Sequence, residues 1–192
     1  MKDVVETPGE VRVNDFVIKI GNVNGTGSAS ANGLLMKAIF RMGIPVSPRN
    51  IFPSNIQGLP TWYEVRISQD GYLGRRGGID MMVSVNPQSF AKDVGEVEPG
   101  GYMLYDSTKP LDLRHVRRDI HYLGIPLTEM CLREYTDSRQ RQLFKNVIYV
   151  GALSALLNID FSILKDLVSE QFKGKEKLIT PNIHALEIGH QY

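Results

Sequence analysis

The sequence has one cysteine, Cys131, so an intrachain disulfide framework is excluded, as is an iron–sulfur cluster held by four thiolates of these residues. Its four histidines (His115, His121, His184, His190) have neither the i, i+4 spacing nor the CxxC companions of a zinc site. Charge of one sign is equally scarce: 22 Lys and Arg against 21 Asp and Glu leave +1. Generic binding to nucleic acid or to an anionic membrane rests on clustered cations, so neither class of partner is expected. The longest apolar stretch, 147–159, carries Gly151, Ser154 and Asn158 and falls short of the ~20 residues that span a bilayer. Residues 1–10 are polar and charged, unlike a secretory signal, and the protein is expected to be soluble and cytoplasmic. No internal repeat occurs.

What is present suits one globular core: 192 residues, 42% hydrophobic and 22% charged. Residues 1–14 read as a flexible leader and 15–192 as one domain. Residues 16–20 read as a strand, residues 21–27 as a glycine-rich turn, and Ser28 as the N-cap of a helix. Leu34, Leu35, Ala38, Ile39 and Met42 then follow at helical spacing, closed by Gly43 and Pro45. Residues 47–60, with prolines at 48, 53 and 60, read as irregular. Strands are expected at 63–68, 80–85, 101–106 and within 124–129. A short helix should open at Asn86-Pro87 and break at Glu98-Pro-Gly-Gly101. Helices are expected over 138–157, over 161–172 behind an Asp160 cap, and over 183–189. The alternation predicts an α/β fold: a single layered domain with a mixed, largely parallel central sheet flanked by helices, and a helical C-terminal third.

The glycine loop is the clearest chemical signal. A strand-to-helix loop presents backbone N–H groups and the positive end of a helix dipole, which suits a phosphate. Gly25 and Gly27 permit close approach, and Thr26 and Ser28 offer hydroxyls. The loop matches neither a complete dinucleotide fingerprint nor a Walker A motif, and a tight packing turn is the competing reading. Arg66, Arg75, Arg76 and the Arg114–Arg118 run (Arg-His-Val-Arg-Arg) are cations that pair either with a phosphate or with a carboxylate. Ser154 lies in an apolar helix rather than a nucleophile elbow, Cys131 reads as a buried thiol, and Glu96 with Glu98 sits in a solvated turn. No catalytic triad, metal cluster or acid–base pair assembles. Phe52, Leu59 and Trp62 stand in or beside the proline-broken stretch, either as partner anchors or folded back on their own core.

Several segments in order resemble a known family. They are Gly21-Asn-Val-Asn-Gly-Thr-Gly-Ser-Ala-Ser-Ala-Asn-Gly33, Ser54-Asn-Ile-Gln-Gly-Leu-Pro-Thr-Trp-Tyr-Glu-Val-Arg-Ile-Ser68 and Gly78-Ile-Asp-Met-Met-Val-Ser-Val-Asn-Pro-Gln88. Glu96-Val-Glu-Pro-Gly-Gly-Tyr-Met-Leu-Tyr-Asp-Ser-Thr-Lys-Pro110 and Asn146-Val-Ile-Tyr-Val-Gly-Ala-Leu-Ser-Ala-Leu-Leu-Asn158 complete the set. Over about residues 15–191 this order resembles the gamma subunit or domain of the 2-oxoacid:ferredoxin oxidoreductases, most of all the 2-oxoglutarate branch.

The resemblance implies an accessory role in a reaction that turns a 2-oxoacid, coenzyme A and oxidised ferredoxin into acyl-CoA, CO2 and reduced ferredoxin. It implies thiamine-binding alpha and beta partner subunits or domains carrying thiamine diphosphate, magnesium and 4Fe-4S clusters, with ferredoxin met indirectly and no activity from this chain alone. Coenzyme A would be the one cofactor to reach this chain, at Gly21, Asn24, Gly25, Thr26, Gly27, Ser28, Asn55, Gln57 and Arg66. Phe52, Leu59, Trp62, Arg75 and Arg76 would face a partner. A stand-alone nucleotide-binding protein and a ligand-free assembly module remain the alternatives.

Overall fold

The computed structural model describes residues 13–53 and 56–192. Strands are β1 (Asp15–Val23), β2 (Val46–Ile51), β3 (Pro60–Ser68), β4 (Ile79–Ser84), β5 (Val97–Asp106) and β6 (His121–Ile125). Helices are α1 (Ser28–Arg41), α2 (Phe90–Glu96), α3 (Leu127–Glu134), α4 (Ser138–Leu156), α5 (Phe161–Gln171) and α6 (Ile179–Gln191). The six strands form one mixed sheet in the order β2-β3-β1-β4-β5-β6. The β1–β4, β4–β5 and β5–β6 pairs are parallel, while β3 runs antiparallel to both β1 and β2. This is the α/β class, with the mixed, largely parallel sheet and helical C-terminal third that the alternation of elements predicts.

Side-chain alternation along the strands separates two cores. Ile18 and Ile20 of β1, with Tyr63, Val65 and Ile67 of β3, pack beneath Leu34, Leu35 and Ala38 of α1 and against α4 to α6. Val17, Met82 and Met103 face the opposite way, onto Val94 of α2. The helices after β1 and β4 therefore leave the sheet on opposite faces. α4 and α6 approach closely because each carries glycine at the crossing: a Cβ on Gly151 would lie 2.1 Å from the Leu186 carbonyl oxygen, and one on Gly189 would lie 1.9 Å from that of Ile148.

Several local expectations need correction. Residues 46–51, all but the first within the stretch expected to be irregular, form β2; it is an edge strand, where Pro48 forfeits no interior ladder bond. The last strand lies earlier than 124–129, because Pro126 ends β6 and stands at the N-cap of α3, which carries Cys131. α2 stops at Glu96, and β5 runs through Pro99, Gly100 and Gly101 by way of a register irregularity opposite β4. Its N-cap is Ser89 rather than Asn86, whose carboxamide instead accepts from the Gln88 amide. At α1 the cap is Gly27, in the left-handed region at φ 80°, and Ser28 is already inside the helix. The expected leader, 1–14, lies outside the described residues except for its last two positions, and β1 begins directly after them.

Candidate functional site at the carboxyl edge of the sheet

β1 continues two residues past Gly21, so the loop proper is residues 24–27. Residues 56–59 are clasped to it. The Asn24 amide donates to the Leu59 carbonyl (2.9 Å), the Gly58 amide donates to the Asn24 carbonyl (3.1 Å), and Asn24 Nδ2 donates to the Ile56 carbonyl (3.3 Å). Gln57 packs on Gly25, where a Cβ would lie 2.7 Å from Gln57 Cγ; Gly25 also has φ 87°, so glycine is required there twice over. The structure thus joins the glycine loop to Gln57. Asn55 lies outside the described residues.

The Thr26 hydroxyl is already used. Thr26 is buried, and its Oγ1 donates to the Val23 carbonyl (2.8 Å), with Asn22 Oδ1 also in reach (3.2 Å). Ser28 is buried as well. What faces outward is backbone: Gly25, Gly27 and Ala29 are exposed at the start of a helix that no side chain caps and no acidic residue opens. Beneath the loop, Asn22 Nδ2 donates to Asn146 Oδ1 (2.9 Å), and Asn146 Nδ2 donates to the Thr26 carbonyl (2.9 Å). Beside this pair, the Tyr149 hydroxyl donates to Asn32 Oδ1 (2.6 Å), and burial pushes that phenol well up from its ordinary pKa.

Two clefts flank this loop. One, of about 250 Å³, lies between the start of α1 and the ends of β2 and β3; Asn22, Asn24, Asn32 and Asn50 line it, with Tyr63 and Phe52. Its wall is mostly apolar, with these carboxamides as its polar groups and no charged side chain, which suits a heterocycle or an amide rather than an anion. The other, of about 590 Å³, lies between the loop, α3 and the start of α4, and Thr128, Arg139, Arg141 and Lys145 line it. In it Lys145 Nζ donates to Asp106 Oδ2 (3.0 Å) and to Thr128 Oγ1 (2.6 Å). Burial pushes the Asp106 carboxyl up, but hydrogen bonds from Thr128 and Thr108 and the Lys145 ammonium outweigh that and hold it at about 2.

Some expected site residues stand elsewhere. Arg66 is opposite Val17 in the β1–β3 register, seven residues short of Asn24, which at about 3.3 Å per residue puts it roughly 20 Å from the loop. There it pairs with Asp15 and donates to the carbonyls of Phe16 and Ile67, so it is a structural cation and no part of a glycine-loop site. Arg76 pairs with Asp80 at that same end, and Arg75, its side chain 65% exposed, lies 3.9 Å from Glu64. Gly21 is buried between Asp93 and Trp62 and meets neither solvent nor cleft. Trp62 is 5% exposed, its Nε1 donating to Asp93 Oδ1 (2.8 Å) under the Lys92 ammonium, so it folds back on its own chain. Phe52 (50%) and Leu59 (38%) do stand exposed beside the loop.

The asparagine-lined cleft and the Arg139, Arg141 and Lys145 group were not anticipated from sequence. Arg-Gln-Arg-Gln at 139–142 was the available signal, masked by the balanced overall charge. Cys131 is buried where it borders the larger cleft, and burial pushes its thiol up to about 11, which keeps it protonated near neutral pH. Among the described residues no three His, Cys, Asp or Glu side chains are grouped to hold a metal ion, and no helix is long and apolar enough to cross a membrane.

A sheet of this order, with a glycine loop at its carboxyl edge, has the fold of gamma subunits of oxoacid oxidoreductases. The pyruvate oxidoreductase subunit PORC of Thermotoga maritima superposes with a TM-score of 0.72 at 19% identity, covering 93% of this chain and 97% of that one. The keto/oxoacid ferredoxin oxidoreductase gamma subunit of Geobacter sulfurreducens gives 0.69 at 17% identity, covering 92% and 96%. The sequence itself matches the family described as pyruvate ferredoxin/flavodoxin oxidoreductase over residues 17–192, and the chain belongs to that family. It is 25% identical to 2-oxoglutarate synthase subunit KorC of Archaeoglobus fulgidus, over 91% of this chain and 86% of that one. Subunit alpha of 2-oxoacid:ferredoxin oxidoreductase 2 from Aeropyrum pernix is 25% identical over 93% of this chain but only 34% of its own. A 2-oxoglutarate:ferredoxin oxidoreductase structure from Magnetococcus marinus, with 2-oxoglutarate, coenzyme A and succinyl-CoA bound, matches with a TM-score of 0.81 at 25% identity, covering 94% of this chain and 31% of that one. The chain therefore spans about a third of those two longer relatives.

Proposed function

We propose that this chain is the gamma module of a 2-oxoacid:ferredoxin oxidoreductase of the 2-oxoglutarate kind, working in a complex with thiamine-binding alpha and beta subunits or domains. The observation that carries the reading is the family match across residues 17–192, joined to likeness over nearly the whole length of both a 2-oxoglutarate synthase subunit and gamma-subunit folds. Thiamine diphosphate with magnesium and the 4Fe-4S clusters belong to the partners in this reading; a single buried, protonated thiol offers no cluster ligation here. When bound in the complex, those groups supply decarboxylation and electron transfer to ferredoxin. This chain's own residues bind and orient.

The ligand it receives is coenzyme A. The exposed residues Gly25, Gly27 and Ala29, at a start of α1 that no side chain caps, suit a phosphate oxygen. The neighbouring asparagines suit a neutral amide or heterocycle. A second reading, a ligand-free packing turn, draws on Thr26, whose hydroxyl and carbonyl are both spent inside the protein. Gly25→Val in the assembled complex separates the two. A branched side chain at φ 87° against Gln57 fills the approach to the loop. A loss of coenzyme A affinity of about tenfold or more is expected, measured beside Gly43→Val, which imposes the same backbone strain (φ 82°) in open space. Equal affinity in both variants would leave the loop a packing turn.

A further inference from the structure

We propose that the larger cleft is an anion site, in which Arg139 and Arg141 grip a terminal phosphate monoester of the bound nucleotide and so set a preference for the phosphorylated over the dephosphorylated ligand. The identity of that nucleotide as coenzyme A rests on the function proposed above; the anion site stands on its own observations.

The first is charge. Lys145 is neutralised by Asp106 within the cleft, whereas neither Arg139 nor Arg141 makes an ion pair with any described carboxylate. Two guanidinium groups therefore bring net positive charge to a concave site of about 590 Å³. The second is placement. Both arginines lie in the opening turn of a 19-residue helix whose N-cap, Asp137, spends its carboxylate on the Gln140 amide and makes no ion pair with either of them. Cations are unfavourable there, because the helix N-terminus already carries positive partial charge. An anion lodged between them offsets the positive charge that the Asp137 cap leaves unmet. The third is topology. The cleft is walled by Val23 and Val85, at the carboxyl ends of the adjacent parallel strands β1 and β4, whose helices leave on opposite faces; that is where open α/β sheets take their ligands.

The floor is suited to holding a fixed geometry. Asn22, Thr26 and Asn146 are buried and already bonded to one another, so they offer a firm polar wall instead of competing donors. A fork of two guanidinium groups matches the oxygens of a phosphate dianion better than a lone carboxylate, which one arginine satisfies. The glycine loop separates this cleft from the asparagine-lined one by a single wall, since Asn22 lines both. A ligand that lays a neutral portion in the first and a charged end in the second would cross the loop at its exposed residues Gly25 and Gly27.

The test compares coenzyme A with its 3′-dephosphorylated form by titration calorimetry on the assembled complex, in wild type, Arg139→Ala and Arg141→Ala. The wild type should prefer the phosphorylated form by about tenfold or more, and each alanine variant should bring the two forms to within about twofold. The melting temperature should stay about level in the variants, because both side chains lie at the protein surface and neither makes an ion pair with a described carboxylate. Binding of coenzyme A without preference, or a preference that survives both substitutions, overturns the anion site and leaves the proposed function standing. No binding of coenzyme A, with adenosine 3′,5′-bisphosphate also failing to bind, overturns both. Adenosine 3′,5′-bisphosphate bound in an arginine-dependent way without coenzyme A binding supports the anion site alone. Release of a partner subunit by either variant, with nucleotide affinities unchanged, would assign the arginines to a partner carboxylate and overturn the inference.

Discussion

Asn22 on β1 and Asn146 on α4 are 124 residues apart in sequence and share one buried hydrogen bond of 2.9 Å. Asn146 accepts that bond through Oδ1 and donates from Nδ2 to the Thr26 carbonyl, so one side chain ties the sheet, the glycine loop and the longest helix together. Because all three groups are shielded from water, none can exchange its partner for solvent when Asn146 is removed.

Asn146→Ala should therefore cost about 1–3 kcal/mol, leaving the Asn22 amide and the Thr26 carbonyl unmet in the interior. Chemical denaturation of the two proteins measures it. A change below about 0.5 kcal/mol would show that the network is dispensable.

Asp106 gives a signed pH dependence. Its carboxyl sits at about 2 in the fold against 3.8 unfolded, so its contribution is present above 3.8 and lost as pH falls through about 2. At 1.36 kcal/mol per pH unit the stake is about 2 kcal/mol. Asp106→Asn should flatten the stability profile between pH 4 and pH 2 by about that amount. An unchanged acid limb would contradict the pairing with Lys145 and Thr128.

Trp62 is the only tryptophan, and it reports on Asp93. Burial raises the Asp93 carboxyl above 3.8, opposed by hydrogen bonds from Ser84, Trp62 and Ser89, with Glu96 adding to the rise. A raised acid favours folding below the unfolded value and loses that contribution as pH rises through the folded one. Trp62 fluorescence should thus titrate with a midpoint above 3.8, and Asp93→Asn should abolish the transition. A midpoint at or below 3.8 would contradict it.

Much of this fold was legible from pattern. Ile18 and Ile20 alternate, Leu34, Leu35, Ala38 and Ile39 recur at helical spacing, and Asp160 caps α5 by accepting from the Ser162 amide. β2 was hidden because three consecutive positions, Pro48, Arg49 and Asn50, are exposed on a sheet edge, where periodicity carries no burial signal. Arg66 lies four residues from Trp62 in sequence, yet an extended strand carries it far from the loop. Trp62 stands beside prolines but points to the α2 face, where Asp93 receives it. The resemblance alone sets Gln57 with the glycine loop, since the hydrogen bonds between Asn24 and residues 56–59 are a long-range pairing that no local spacing encodes. Arg139 and Arg141 became visible only once folding placed them around a cleft.

On its own, the purified chain should be colourless and should reduce neither ferredoxin nor a viologen with any 2-oxoacid, given one buried cysteine. Brown protein with stoichiometric iron and sulfide would contradict this.

The central claim is membership in a thiamine-dependent complex, and isolating the tagged chain from its native cells under gentle, anoxic conditions tests it most directly. The account predicts co-purification of thiamine-binding alpha and beta partners, and 2-oxoglutarate-dependent viologen reduction that requires coenzyme A. It would be contradicted by a chain recovered without any thiamine-binding partner, or by a complex whose coenzyme A-dependent turnover persists undiminished after this chain has been removed.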